Sequence, residues 1–262
     1  MQVTRGFIKK ISIFILLVVF ISFACWLFVP YRSILAQKSG GKDSEVNKVY
    51  CAQYVKFQTS DGETLTGWFF NRGKGSQLVI CYPGNSCNAG MFVNYAEQDT
   101  KRSYLMLNYR GYGESTGRLK ESNMVSDACE ALQYFSSSLQ ADKITLFGFS
   151  LGTGVAVQVA SRMPNVDKLV LAAPFDSMAA ICGISNIEKI ILKDHFDSVR
   201  HAHLVNCPVY VQYSLGDTVV RPENTRKLID SFRCNVTERI VKGTHENVVS
   251  LPLNQKYIID AL

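Results

Sequence analysis

Three residues far apart in the chain have types that could act together: Ser150, Asp217 and His245. Ser150 lies in "KITLFGFSLGTGVAVQVA", where a β-like apolar run (Ile144, Leu146, Phe147) meets Gly-Phe-Ser-Leu-Gly and continues into small and apolar residues that read as a helix. A loop joining a strand to a helix needs only a turn and a cap. Glycines at 148 and 152 make sense if the strand turns sharply into the helix, because side chains two before and two after the serine would collide there. The corner would then push the serine hydroxyl into the open. G-x-S-x-G also arises by chance in glycine-rich turns, and its place at a strand-to-helix junction argues against chance here.

A serine hydroxyl is a weak nucleophile until a base takes its proton, and the base needs an orienting acid. His245 stands alone in "IVKGTHENVV", between the last expected strand and the last expected helix. His195, His201 and His203 fall in an irregular stretch, and the last two read as a surface pair. Asp217, in "VYVQYSLGDTVVRP", follows a buried strand. Asp176, in "LAAPFDSM", ends another strand and is a rival from which a carboxylate could reach the histidine. The Gly-Asp turn and the following residues favour Asp217. Acyl chemistry also needs donors for a developing oxyanion. The N–H of Leu151 at the start of the helix is one candidate. The N–H of Asn85, after the turn-forming Pro83-Gly84 of "LVICYPG", is the other, with Ser86 as the alternative if the turn shifts by one residue.

These residues must be positioned by the elements around them. "YCAQYVKFQTSDGETLTGWFF" alternates apolar and polar residues around Asp61-Gly62, a hairpin signal. "SQLVICYPG" is an unbroken apolar run, as in a strand buried on both faces. A helix over about 88–98, the strand "SYLMLNYRG", a helix from near Ser122 or Asn123 to Leu139, the strand "KITLFGF" and the helix after Ser150 follow. Next come the strand "DKLVLAAPF", a partly helical excursion over about 176–206, the strand "PVYVQYS", a helix over about 222–232, the strand "NVTERIV" and a helix after Glu246. Such alternation predicts an α/β fold, with a mostly parallel sheet covered by helices on both faces. Ligands in such sheets bind beyond the carboxyl ends of the strands, where Ser150, Asp217 and His245 all fall.

At 262 residues, 47% apolar and 19% charged, the chain can bury one large core and is excluded from the disordered class. The net charge of +6 comes from scattered Lys and Arg with no basic stripe, so a nucleic-acid partner is not expected. The cysteines show no CxxC spacing, and their odd number beyond residue 30 fits no complete disulfide framework. A Cys207–Cys234 bridge between neighbouring strands is conceivable, while small buried thiols are the simpler reading.

The N-terminus is a separate object. "ISIFILLVVFISFACWLFVP", residues 11–30, has neither charge nor amide and would span about 30 Å as a helix, the thickness of a bilayer core. A cleaved signal peptide would have a shorter apolar region and an Ala-x-Ala-like site. An uncleaved single-pass anchor over 1–30 is therefore expected, then a polar linker over 31–48 and a catalytic domain over 49–262. Basic residues on both flanks blur the orientation; a domain outside the cytoplasm is favoured.

With these parts in place, the sequence resembles the membrane-anchored branch of the abhydrolase-domain serine hydrolases, within the α/β-hydrolase superfamily. "YPGNS", "NYRGYGESTG", "GFSLG", "APFDSM", "HFDSVRHAHLVNCPVYVQYSLGDTVVRP" and "GTHENVV" carry the resemblance, from about Tyr50 to the end. It implies an α/β-hydrolase fold, Ser150 as nucleophile, Asp217 as acid, His245 as base, and Asn85 and Leu151 as oxyanion donors. Two positions depart from the pattern: Pro83 stands where a histidine is usual, and Ser214-Leu215 precede the Gly216-Asp217 turn where His-Gly is usual. Neither removes a catalytic group. The "YRGYG" run is expected to shape the cleft floor, with Arg110 holding loops together.

The parts fit acyl transfer to water, on an ester or thioester, with neither metal nor organic cofactor. A small-molecule or lipid-attached acyl substrate and the bilayer are the expected partners. A hydrolase-fold binding module without turnover, or a peptidase of the same fold, is the alternative.

Overall fold

The structure is a computed structural model, in which residues 10, 12–26, 43, 52–183 and 194–262 are described. The chain divides into two compact units, Met1–Gln37 and Lys38–Leu262. In the first, residues 12–26 are helical, and Ile13, Phe14, Leu16, Phe20 and Trp26 are all exposed. Those residues rise about 22 Å at 1.5 Å per residue. No helix among the described residues is long and apolar enough to cross a membrane. Ile11 and residues 27–30 of the span expected over 11–30 lie outside the described residues.

The second unit is built on an eight-stranded sheet in the order β1-β2-β4-β3-β5-β6-β7-β8. Its strands are β1 (Gln53–Gln58), β2 (Thr64–Phe70), β3 (Leu78–Tyr82), β4 (Ser103–Leu107), β5 (Ile144–Phe149), β6 (Lys168–Ala172), β7 (Val209–Ser214) and β8 (Val236–Val241). β1 and β2 are the antiparallel hairpin, in register from Gln53 opposite Phe69 to Gln58 opposite Thr64. β2 runs antiparallel to β4, and every later pairing is parallel. The hairpin loop is longer than a two-residue turn. It occupies residues 59–63, closed by the Thr59 N–H on the Glu63 carbonyl at 2.9 Å, with Gly62 at φ +90°.

A short 3-10 turn (Ala89–Phe92) leads into helix α1 (Val93–Gln98). Then follow α2 (Glu121–Leu139), α3 (Leu151–Ala160), α4 (Met178–Ile181), α5 (Ser198–Ala202), α6 (Pro222–Ile229), α7 (Asn247–Ser250) and α8 (Pro252–Ala261). Every residue of α3 is buried, which is why its sequence has no polar face. Gly154 lies against Phe175 and Phe196, where a Cβ would sit 3.1 Å from the Phe175 ring. The small residue thus admits the chain that covers α3.

Two helix boundaries differ from expectation for identifiable reasons. α2 starts at Glu121 because its first N–H is taken by the Asp194 carboxylate at 3.0 Å, a cap from a distant segment that no local pattern records. The expected final helix is two helices, because Leu251 is extended (ψ 135°) before Pro252. A residue preceding proline is pushed out of the helical region. Part of the 176–206 excursion, residues 184–193, lies outside the described residues. Cys207 and Cys234 are both free thiols, so no bridge joins β7 and β8 here; burial pushes the Cys207 thiol up to about 11.

Arg110 behaves as the tie it was expected to be. Its guanidinium meets Asp127 of α2 at 2.6 Å and Asp61 of the hairpin loop at 2.8 Å. The Arg110 hydrogen bonds hold the Asp61 carboxyl down at about 2. Asp43, in the segment read as a linker, is fully buried in this second unit. A polar stretch was expected to stay in solvent, and at this residue it does not.

Candidate active site

The chain turns from β5 into α3 at Ser150, whose φ of 49° and ψ of −118° lie far from both strand and helix. Such a conformation is strained for a residue with a Cβ and persists only where its surroundings enforce it. The Ser150 N–H donates to the Ala172 carbonyl of β6 at 3.0 Å. The Ser150 carbonyl accepts from the Thr153 N–H at 2.8 Å and the Thr153 hydroxyl at 2.7 Å. The two glycines have different duties. A Cβ on Gly148 would sit 2.6 Å from the Gly152 carbonyl oxygen, within the turn as expected. A Cβ on Gly152 would sit 2.0 Å from the Tyr82 carbonyl oxygen and 2.8 Å from that of Pro83. Gly152 is needed because the end of β3 presses on α3, a contact not visible locally. Backbone cannot yield as a flexible side chain can. Gly152→Ala is expected to cost about 4 kcal/mol or more of stability, read as a collapse of Tm and of soluble yield.

His245 Nε2 lies 2.9 Å from Ser150 Oγ, and His245 Nδ1 lies 2.7 Å from Asp217 Oδ2. His245 and Asp217 are buried, at 7% and 4% exposure. The second carboxylate oxygen of Asp217 accepts from the N–H groups of Val219 (2.9 Å) and Val220 (2.8 Å). Those bonds fix the carboxylate with Oδ2 free to face the imidazole. The His245 ring packs beside that of Phe149, with centroids 5.1 Å apart. The loops bearing Asp217 and His245 are joined through Ser214, whose hydroxyl donates to the Gly243 carbonyl and accepts from the Gly216 N–H. Ser214 stands where the family pattern usually differs, and it ties the two loops together.

Asp176 is not at this histidine. Its Oδ2 meets Lys227 Nζ at 2.8 Å, while Oδ1 accepts from Asn224 Nδ2 at 3.0 Å and from the Ser177 N–H at 2.7 Å. It is a buried carboxylate that joins the chain after β6 to α6.

Asn85 sits in the tight turn after β3, closed by the Cys87 N–H on the Gly84 carbonyl at 3.3 Å. Leu151 opens α3. Among the described residues neither N–H is taken by another group of the chain. The shifted alternative, Ser86, is otherwise engaged: its φ is 59° and its N–H donates to the Tyr112 hydroxyl at 3.2 Å. That hydroxyl also donates to Asn85 Oδ1 at 3.0 Å, and the Tyr109 hydroxyl donates to the Pro83 carbonyl at 3.0 Å. Burial pushes both phenols upward, so they serve as neutral hydrogen-bonding struts. The "YRGYG" run therefore braces the turn that carries Asn85. The motif was visible in the sequence, but which group each tyrosine would hold was not.

A sheet in this order, with a strained serine after β5, an acid after β7 and a histidine after β8, defines the α/β-hydrolase fold with a Ser-Asp-His constellation. Comparison with known proteins agrees. Residues 77–181 match the family described as alpha/beta hydrolase fold. The chain is 29% identical to an uncharacterized protein of Mycobacterium tuberculosis, over 88% of this chain and 85% of that one. It is also 29% identical to the lysophosphatidylserine lipase ABHD12 of Danio rerio, over 47% of this chain and 37% of that protein. Among solved structures it is similar to the esterase Pf2001 of Pyrococcus furiosus, with a TM-score of 0.65 at 15% identity over 84% of this chain and 93% of that one. The chain thus has the α/β-hydrolase fold.

Proposed function

We propose that the chain is a serine hydrolase that cleaves ester or thioester acyl bonds through an acyl-enzyme. The observation that carries this reading is the continuous hydrogen-bonded line from Asp217 through His245 to Ser150, at 2.7 and 2.9 Å. In the proposed cycle Ser150 Oγ attacks the acyl carbonyl while His245 Nε2 takes its proton. The carbonyl oxygen, now negative, accepts from the N–H groups of Asn85 and Leu151. As the tetrahedral species collapses, His245 returns the proton to the departing alcohol or thiol, leaving an ester on Ser150. Water then attacks that ester with His245 as base, releasing the acid and restoring the serine. Asp217 holds the imidazole in the tautomer that accepts at Nε2. The residues present supply every proton transfer in this sequence of steps.

Esters and thioesters are favoured over amides because their leaving groups need less protonation. An esterase among the structural neighbours and a lysophospholipid lipase among the relatives support the same class. A lipid-derived or lipid-attached acyl group fits the apolar helix over residues 12–26, whose side chains are exposed and would favour a bilayer as an uncleaved anchor. Rates on p-nitrophenyl esters from acetate to palmitate test the substrate class. Turnover is expected to extend to medium and long chains. Turnover of acetate alone would contradict the lipid-acyl reading.

A further inference from the structure

We propose that Asp43 is a positioning residue for the oxyanion turn, so that the segment preceding β1 supplies part of the reaction centre's support. The inference rests on the reading of Asn85 as an oxyanion donor. Asp43 is fully buried and accepts five hydrogen bonds. Its Oδ1 takes the side-chain amides of Asn88 at 2.7 Å and Asn108 at 3.0 Å. Its Oδ2 takes the hydroxyls of Thr66 at 2.7 Å and Tyr54 at 3.0 Å, and the Glu114 N–H at 3.2 Å. These donors come from β1, β2 and the loops after β3 and β4, so one carboxylate joins four pieces of chain.

Both amides on Oδ1 lead to the oxyanion turn. Asn88 Oδ1 accepts from the Gly90 N–H, and Asn108 Oδ1 accepts from the Ala89 N–H, each at 2.8 Å. Each amide thus has one end on Asp43 and the other on the first turn after Pro83–Cys87. The Oδ2 side leads there by a second route. Glu114 and Gly113 follow Tyr112, which holds both Ser86 and Asn85. Gly113 lies so close that a Cβ would be 2.4 Å from Asp43 Oδ1, so the loop is shaped around the carboxylate. Buried polar networks are rigid only when every member is satisfied. Removing the carboxylate takes the shared acceptor from both amides and from the Glu114 N–H, while the Tyr54 hydroxyl keeps Glu114 Oε2 and the Thr66 hydroxyl keeps Ser115 Oγ; the turn carrying Asn85 then loses both amide supports together.

An oxyanion donor is worth about 10²- to 10³-fold in kcat when removed outright. A donor displaced by a loosened turn is expected to forfeit about 10- to 100-fold. The test uses the full chain in detergent micelles, with active sites titrated by a fluorophosphonate so that rates are expressed per competent serine. Asp43→Ala should lower kcat on p-nitrophenyl butyrate by that factor, with KM within about 2-fold. Affinity for an alkyl trifluoromethyl ketone, whose adduct places an oxyanion in the site, should fall in parallel. Asn88→Asp keeps the acceptor for the Gly90 N–H and sets a second carboxylate against Asp43. It should reproduce the loss even if Asp43→Ala fails to fold. An unchanged kcat per titrated site in a folded variant, with only Tm lowered, overturns the proposal. A wild-type chain that neither titrates nor turns over sinks the hydrolase reading itself, and this inference with it.

Discussion

Ser150→Ala lowers ester turnover by about 10⁶-fold in a chain that still folds. The expectation follows from what the side chain touches. Ser150 Oγ bonds to His245 Nε2 at 2.9 Å, while the residue's backbone, not its hydroxyl, makes the bonds to Ala172 and Thr153 that hold the bend. Alanine keeps those backbone bonds and the Cβ, so the strained corner survives without its nucleophile. A residual rate of about 10³- to 10⁴-fold over water should remain from oxyanion binding and substrate positioning. Steady-state rates beside a thermal melt check both halves. A variant within 100-fold of wild type would mean that Ser150 is not the attacking group.

Asp217→Asn is expected to lower kcat by about 10⁴-fold with little change in Tm, whereas Asp176→Asn should do the reverse. At Asp217 the amide can keep an oxygen towards the N–H groups of Val219 and Val220. It then turns an NH2 towards His245 Nδ1, which holds the ring in the tautomer whose Nε2 carries a proton and cannot accept one. At Asp176 the change breaks the ion pair with Lys227, at 2.8 Å, and disturbs the hydrogen bond from Asn224. That weakens the join between β6 and α6 and leaves His245 untouched. Turnover of Asp176→Asn should stay within a few-fold of wild type, in the range of surface and structural substitutions. Equal losses in the two variants would mean that the carboxylates share the histidine in solution.

Much of this was legible in the sequence where one local feature implies one local geometry. Glycines flanking a serine after an apolar strand implied the bend. A Gly-Asp turn after β7 and a histidine after β8 implied convergence, because parallel strands deliver their loops to one edge. The features that escaped are tertiary. Gly152 answers to the carbonyls of Tyr82 and Pro83, about 70 residues earlier. The start of α2 answers to Asp194, and the turn carrying Asn85 to hydroxyls from the "YRGYG" run. Asp43 escaped altogether: it lies in a polar, glycine-containing stretch, and composition there reads as solvated linker. Burial of a carboxylate depends on five donors brought together by the fold, none adjacent to it in sequence. The N-terminal apolar run differs again. Its hydropathy speaks of a bilayer, and residues 12–26 of it are helical.

The central claim is that Ser150 is a nucleophile activated by His245, and covalent capture tests it most directly. Intact-mass and peptide-level mass spectrometry after treatment with a fluorophosphonate should find one adduct per chain, on the peptide containing Ser150. The adduct should form at least 100-fold more slowly in His245→Ala, by the measure of what a general base contributes, about 10²- to 10⁴-fold. A folded wild-type chain that stays unmodified, or one modified equally fast without His245, would contradict the account.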